Sequence, residues 1–313
     1  MRMGNLSQDG TQPNKIRSFQ IDPRDDALCL ESDHAREAKA QAPHQFQPPN
    51  RTAWDIAREA YERVGHAQGT LPGVPVTPKG TAPMGNKLAR TPLFAPIKRG
   101  RRKIHDMVRL PSPGGISLWY FGKQLDVSDQ DTYLTALMLA KGVASDTPIK
   151  INRTEFLRLL GRKIGGSGFK WLEQSFARIS TGRLFYDTPD EQGSTPLIGP
   201  LRYDKGAEEY YFTIPADSLR AFGVKSFGYV DMEKRRQIAN KAELAKWLQC
   251  YAVSHAKGEH RVSVANLKAW CGHEGRVRDF RNYLATALAE LVRVGILGSW
   301  GFYEDNGKIK WFR

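Results

Sequence analysis

The chain has 313 residues, 40% of them apolar and 10% aromatic, with 47 Lys and Arg against 33 Asp and Glu. That apolar share is enough for real cores and excludes a chain disordered throughout. The formal charge of +14 and a pI near 9.7 favour a polyanionic partner, nucleic acid ahead of an anionic membrane surface. No apolar run approaches the roughly 18 to 20 residues of a spanning helix, and the opening MRMGNLSQDG lacks the apolar core of a signal peptide. Cys29, Cys250 and Cys271 are too few and too scattered for a disulfide framework, which points to a reducing, cytoplasmic location.

Residues 1–85 are rich in Gln, Pro, Gly, Asp and Lys, with Pro43, Pro48, Pro49, Pro72, Pro75, Pro78 and Pro83 as punctuation. They read as a mostly disordered N-terminal tail. Within it, Trp54, Ala57, Tyr61 and Val64 recur at helical spacing behind a possible cap at Thr52. That short helix, near 52–64, either docks on something such as a second copy or is transient. Residues 86–110 then hold eight basic side chains against the single acid Asp106. Leu93, Phe94, Ile97 and Ile104 are interleaved among them, so the run reads as anchored to a domain with its charges turned to phosphate.

Two strand-like runs, 104–110 and 116–121, are separated by the turn at 111–115. Ser128 or Asp129 is a candidate cap for a helix through Lys141 that carries Tyr133, Leu134, Leu137 and Met138 inward. After the unit at 150–184, strands are expected at 197–203 and 210–214, with 191–195 as an exposed tip. Residues 227–238 read as the link between two domains. Asn240 is a candidate cap for a helix over 241–255 with Leu244, Trp247, Leu248 and Tyr251 as its packing stripe.

Residues 261–297 are the most informative stretch. Val262 and Val264 lead into a helix around 266–270, and Gly272 suits the position after a helix, where φ > 0 is needed. A longer helix follows from about Gly275 to Arg293, ended by Gly295. Phe280, Leu284, Ala287, Leu288 and Leu291 make one apolar stripe, while Arg278, Asn282, Ala285, Thr286 and Ala289 point away from it, flanked by Arg276 and Arg281. That outward face, basic at its start and then small, suits a major groove; the alternative is an ordinary solvated face. Two β-like runs joined by Glu304-Asp305-Asn306-Gly307 complete a winged helix.

The pattern occurs a second time. Moving the C-terminal unit back by 111 positions puts Val262 on Ile151, Leu267 on Phe156, Gly272 on Gly161 and Phe280 on Phe169. Gly295 and Leu297 match Gly182 and Leu184 with a shift of 113. The earlier second helix buries Phe169, Leu172, Phe176 and Ile179, and turns Lys170, Gln174 and Arg178 outward with Trp171 beside them. The expected fold is therefore α+β, two tandem winged-helix domains (86–230 and 231–313) behind a disordered N-terminal tail.

Several chemistries are missing. Gly161 and Gly166 have phosphate-loop spacing, but Ser167 stands where the loop requires Lys. There is no His-x-His pair for a nicking enzyme. Asp126, Asp129 and Asp131 look like a helix start, where negative charge is favoured, and not a two-metal site. Cys250, His255, His260, Cys271 and His273 fit no defensible zinc spacing, and both cysteines fall on apolar helix faces. The expectation is a protein with no metal, no cofactor and no catalytic residue.

From Asn86 onward the chain resembles the TrfA-type plasmid replication initiators. The resemblance rests on Ala89-Arg90-x-x-Leu93-Phe94 and on the FLRLLG helix end at 156–161. It rests also on the run Arg276 to Arg281 (Arg-Val-Arg-x-Phe-Arg) after Cys271-Gly272. It implies two winged-helix domains that bind repeated origin sequences (iterons) in double-stranded DNA as a monomer, with a self-dimer as the inactive form. It also implies recruitment of the host initiator DnaA and the replicative helicase. The family's Gln-Leu-x-Leu-Phe clamp-binding peptide has no counterpart here, so a polymerase-clamp contact is not implied. On this reading Arg278 and Asn282, with Arg276 and Arg281, contact one major groove. Lys170, Trp171, Gln174 and Arg178 contact a neighbouring groove or its backbone. Lys98, Arg99, Arg101, Arg102 and Lys103, with the wing lysines Lys308 and Lys310, hold phosphates. Two rivals use related parts: a winged-helix transcriptional repressor without initiation activity, and a metal-dependent nicking enzyme.

Overall fold

The computed structural model describes residues 72–97, 102–113, 117–188, 191–222, 226–303 and 307–313. The first elements are β1 (Thr81–Gly85), α1 (Asn86–Ala89), β2 (Phe94–Ala95), β3 (Ile104–Leu110), β4 (Ser117–Lys123), β5 (Leu125–Asp126) and α2 (Val127–Leu139). Then come β6 (Ile149–Asn152), α3 (Arg153–Leu159), α4 (Gly166–Thr181), β7 (Arg183–Asp187), β8 (Gln192–Pro196), β9 (Arg202–Asp204), β10 (Glu209–Phe212) and α5 (Ala216–Phe222). The chain continues through β11 (Phe227–Asp231), α6 (Met232–Gln237), α7 (Glu243–Val253), β12 (Glu259–Ser263), α8 (Val264–Trp270), α9 (Val277–Arg293), β13 (Ser299–Phe302) and β14 (Lys308–Phe312).

Two winged-helix units stand out, each a helix, a strand, two helices and a hairpin. The second is α7, β12, α8, α9 and the hairpin β13–β14, with β12 pairing β14 to close a three-stranded sheet. The first is α2, β6, α3, α4 and the hairpin β7–β8. Its lead strand β6 does not join its own hairpin but pairs with β10, while β7 and β8 extend a four-stranded sheet ordered β3-β4-β7-β8. The fold is α+β.

The two units are stopped and started alike. Asn152 caps α3 through Thr154 N, and Ser263 caps α8 through Asn266 N, positions 111 apart. Gly161 and Gly272 follow those helices at φ +66° and +73°. In each, the glycine N–H and the next N–H return to the last turn: Gly161 to Arg158 O and Arg162 to Leu157 O, Gly272 to Ala269 O and His273 to Lys268 O. These are matched Schellman closures that only glycine adopts without strain. Gly182 departs from the match with Gly295: it sits at φ −69°, ψ 142°, and carries the chain straight into β7.

The long helices also repeat, offset by one residue from the turn. Leu172, Phe176 and Ile179 of α4 stand where Leu284, Leu288 and Leu291 stand in α9, 112 positions on, and all six are fully buried. Each such side chain contributes about 1.5–3 kcal/mol by leaving water. Phe169 therefore does not play the part of Phe280. It is half-buried with the Arg153 guanidinium 3.9 Å from its ring centre, while Phe280 is fully buried.

Two apolar cores result, one around α2, α3 and α4 and one around α7, α8 and α9. They interlock, since Cys250 of α7 belongs to the first and Val127 of α2 to the second. Trp247 of α7 donates its indole N–H to Thr91 O at 3.0 Å. The family-like motif lies at this seam: Ala89, Leu93 and Phe94 are buried, and Arg90 donates to Ser254.

Several expectations need correcting. The tail was expected to reach residue 85, but β1 pairs antiparallel with β11, and Val74, Ala82 and Met84 are buried. Pro83 is tolerated because this ladder has only two strands and leaves its missing N–H on an edge. Residues 191–195 are not an exposed tip: Gln192–Pro196 is β8, and Thr195 is buried. Asp126, not Ser128 or Asp129, caps α2, in a reciprocal box with Asp129. Ala242, not Asn240, precedes α7, without a side-chain cap. Residues 227–238 are no mere link, since β11 and α6 are structured and Arg235 is buried. The helix expected at 52–64 and the turn residues Glu304 to Asn306 lie outside the described residues.

Candidate nucleic-acid interface

α9 has an apolar underside and a polar outer face. Arg276 at its N-cap is extended (φ −65°, ψ 151°) and provides no side-chain cap for the first-turn amides. Arg278, Asn282, Thr286 and Ala289 are exposed. The side chains of Arg276, Arg278 and Asn282 have no hydrogen-bond or ion-pair partner among the described residues, while Thr286 Oγ1 bonds back to the backbone Asn282 O. The outer face is thus a basic and amide edge followed by small residues. Arg281 is half-buried, its guanidinium 4.9 Å from the centre of the Phe302 ring, so it ties the helix to β13 rather than standing free.

The second wing adds charge. Ile309 and Trp311 point into the core, which by strand alternation turns Lys308 and Lys310 outward, and both are exposed. Arg261 of β12 stands opposite Lys310 in the register, a like-charge pair that favours an anion nearby. Arg261 also bonds Glu259, whose carboxyl is held below the usual range by that bond and charge. A cleft of about 810 Å³ lies here, with Arg261, Lys308, Lys310 and Tyr303 on its walls. The sequence reading missed Arg261, although its place two residues before the cap Ser263 marks it as outward-facing.

In the first unit, Lys170 and Gln174 of α4 are exposed and unpartnered among the described residues. Trp171 is half-buried under Arg162, whose guanidinium lies 3.5 Å from the ring centre. Gly165, the N-cap, provides no side-chain cap. Arg162, Lys163 and Ser167 surround this end of the helix on a cleft of about 510 Å³. The first wing is not basic like the second: of the exposed positions on β7, Arg183 is held by Ser194.

Two expected contact residues are structural. Arg178 is 8% exposed and faces α2, where its Nη2 lies 2.7 Å from Asp129, a carboxylate with no exposed surface. It belongs to the α4 edge carrying Ser175, which also donates to Asp129 at 2.7 Å. Helical spacing places that edge beside the apolar stripe and not opposite it. Arg102 donates to Asp129 at 2.9 Å and to Asp126 at 2.5 Å, so its charge is spent inside the protein. Burial, and then the neighbouring Asp129, push the Asp126 carboxyl up from its ordinary value against the pull of Arg102. Lys103 is exposed but pairs with Glu274 at 2.5 Å in the turn before α9. Lys98, Arg99 and Arg101 lie outside the described residues.

These bonds relate α4 and α9. Arg102 and Lys103 are neighbours in sequence, yet one reaches the α2–α4 cluster and the other the α8–α9 turn. Ile97 lines both the cleft at α4 and a second one of about 890 Å³ at the start of α9. The amino-terminal ends of α4 and α9 therefore approach one strip of chain. Among the described residues no group of three His, Cys, Asp or Glu is placed to hold a metal ion, and no helix is long and apolar enough to cross a membrane. Cys250 and Cys271 are free and buried.

The class of structure is thus a pair of winged-helix units with exposed basic helix faces. No protein-family model and no curated protein sequence matches the chain. Among solved structures it is similar to a pi initiator protein in complex with iteron DNA, at 12% identity and a TM-score of 0.49, over 76% of this chain and 98% of that one. It is also similar to domains 2 and 3 of RctB. One structure of these domains gives 12% identity and a TM-score of 0.47 over 69% of this chain and 93% of that one. Another gives 14% and 0.45 over 71% and 95%.

Proposed function

We propose that this chain binds duplex DNA sequence-specifically with both winged-helix units and starts replication from an origin carrying direct repeats, in the manner of the TrfA-type initiators. The observation that carries the DNA reading is the outer face of α9. The Arg278 and Asn282 side chains lie one helical turn apart, exposed and unpartnered among the described residues, on a helix with an uncapped start that Arg281 ties to its own wing. Arginine forks onto guanine O6 and N7, and asparagine onto adenine N6 and N7, so this pair suits a major-groove edge. Lys170 and Gln174 on α4 make the second reading edge. Arg276, Lys163, Arg261, Lys308 and Lys310 hold phosphates, which sets register without reading sequence.

Initiation is the finer part of the proposal. It rests on the order of the family-like motifs in the sequence, together with two reading helices in one chain. The protein catalyses nothing itself, and strand opening comes from DNA deformation together with host DnaA and the replicative helicase. A self-dimer is the inactive form. Selection of bound duplexes from a random-sequence pool, followed by anisotropy titration with Arg278→Ala and Asn282→Ala, tests the DNA reading. Recovery of a consensus that both variants bind weakly is the expected result; recovery of no consensus refutes it. Replication of a plasmid carrying the gene and its flanking repeats tests initiation. Incubation with supercoiled origin plasmid and Mg²⁺ tests the absence of nicking.

A further inference from the structure

The helix between the two winged units carries three consecutive cations, Lys234, Arg235 and Arg236, and each reaches a different part of the reading machinery. Lys234 Nζ donates to Gly295 O at 2.5 Å, at the carboxy-terminal end of α9. Arg236 Nη1 donates to Leu159 O at 3.2 Å, at the corresponding end of α3, and its Cδ lies 3.3 Å from where a Cβ on Gly161 would stand. Leu159 O is a last-turn carbonyl, where a helix concentrates partial negative charge, and Gly295 O lies just past the cap of α9. Arg235 is 1% exposed; it bonds Asp131 (2.5 Å) and Gln130 (2.8 Å) of α2, and Lys246 O (2.9 Å) of α7. Asp131 completes the tie by accepting Lys246 Nζ at 2.8 Å, joining the lead helices of the two units.

The last residue of α6 and the chain just after it hold α9 twice more. Arg293 donates to Gln237 O at 2.8 Å, and Glu290 accepts from Ala239 N at 2.7 Å. One short helix is therefore bonded to both helix-turn-helix units, on either side of a buried ion cluster. A flexible tether between two DNA-binding units lets each find its half of the site at any nearby spacing. A helix bonded in this way to both does not.

We infer that α6 is a staple that fixes the separation of α4 and α9, making the chain a ruler that accepts one spacing between the two halves of its DNA site. This rests on the DNA reading proposed above, with Lys234 and Arg236 as positioning residues that touch no DNA. The test uses the full-length chain and the variant Lys234→Ala/Arg236→Ala/Glu290→Ala/Arg293→Ala, which removes the side-chain ties of this segment to α3 and α9 and leaves the buried Arg235 in place. Spin labels are attached at Ala177→Cys on α4 and Ala289→Cys on α9, both exposed, with Cys29 replaced by serine. Double electron–electron resonance on the free protein is expected to give one narrow distance for the parent and a broad distribution for the variant. Lys234→Arg/Arg236→Lys, which keeps both cations, is expected to restore the narrow one.

In parallel, the parent selects its site from random-sequence duplexes. Inserting about five base pairs, half a helical turn, between the two halves then costs the parent roughly a hundredfold in affinity and the variant less than about tenfold. An equally narrow distance in the variant overturns the staple, and so does equal sensitivity of both proteins to the insertion. If the parent selects no duplex, the DNA reading fails and the ruler with it, while the distance measurement still judges the staple.

Discussion

Arg178→Ala separates a structural arginine from a DNA-reading one. Asp129 has no exposed surface and takes bonds from Arg178 (2.7 Å), Ser175 (2.7 Å) and Arg102 (2.9 Å). Breaking a buried pair by removing one partner costs about 3–5 kcal/mol, because the remaining charge stays out of water. Here Arg102 and Ser175 remain, so the lower end, about 3 kcal/mol, is expected. At about 2–4 °C per kcal/mol for a body of this size, the melting midpoint falls by roughly 6–12 °C. Thermal and urea unfolding read the loss. Anisotropy with the selected duplex, at a temperature where both proteins are folded, is expected to show affinity within about threefold of the parent, a difference of under 1 kcal/mol. A melting midpoint within a degree or two of the parent, combined with a tenfold loss of binding, would return Arg178 to the DNA-contacting set and refute the burial argument.

Arg278→Ala is expected to cost about 1–3 kcal/mol of discrimination at one base pair, and a uniform loss on every sequence tested would contradict the base-reading role. Lys308→Ala, by contrast, is expected to weaken all duplexes alike and to reduce the slope of log affinity against log salt by about one. Gly272→Ala places a Cβ at φ +73° and 2.9 Å from Pro92 Cβ, so a loss of at least about 1 kcal/mol is expected in urea unfolding; an unchanged midpoint would show that the turn relaxes freely. His255 is held down to about 3 by burial first, then by His260 and Arg90, and His260 is lowered by burial and Arg90. The fold prefers both rings neutral, so their contribution is complete above about pH 6.5, the unfolded value, and declines as pH falls toward 3. The midpoint of unfolding is expected to drop between pH 7 and pH 5, by less than about 1.4 kcal/mol per pH unit per ring since both are only half-buried. His255→Gln should flatten that drop, and an unaltered slope would remove His255 from the explanation.

What sequence shows well is local. Gly161 and Gly272 were legible as matched helix ends because a Schellman closure needs φ > 0 at a single residue. The stripe Phe280, Leu284, Leu288 and Leu291 was legible because 3.6-residue periodicity is a property of neighbours. Arg278 and Asn282 were legible for the same reason, as the opposite side of that stripe. The misplaced caps of α2 and α7 are local errors of a few residues, and the larger failures are partnerships across distance. Asp129 looked like surface charge at a helix start, and nothing near it in sequence announces Arg178, 49 residues on, or Arg102, 27 residues back. Pro83 and its neighbours looked like tail because their ladder partner, β11, lies more than a hundred residues away. Residues 227–238 read as a link, since Lys234 and Arg236 bond backbone carbonyls, which no side-chain pattern reveals, and the Asp131 partner of Arg235 lies 104 residues back.

Methylation interference on the selected duplex is the most direct test of two-headed reading, because modified guanine N7 blocks major-groove contacts where they occur. Two blocks about one helical turn apart are expected, one lost in Arg278→Ala/Asn282→Ala and the other in Lys170→Ala/Gln174→Ala. A single block, or two blocks that weaken together whichever helix is altered, would contradict it.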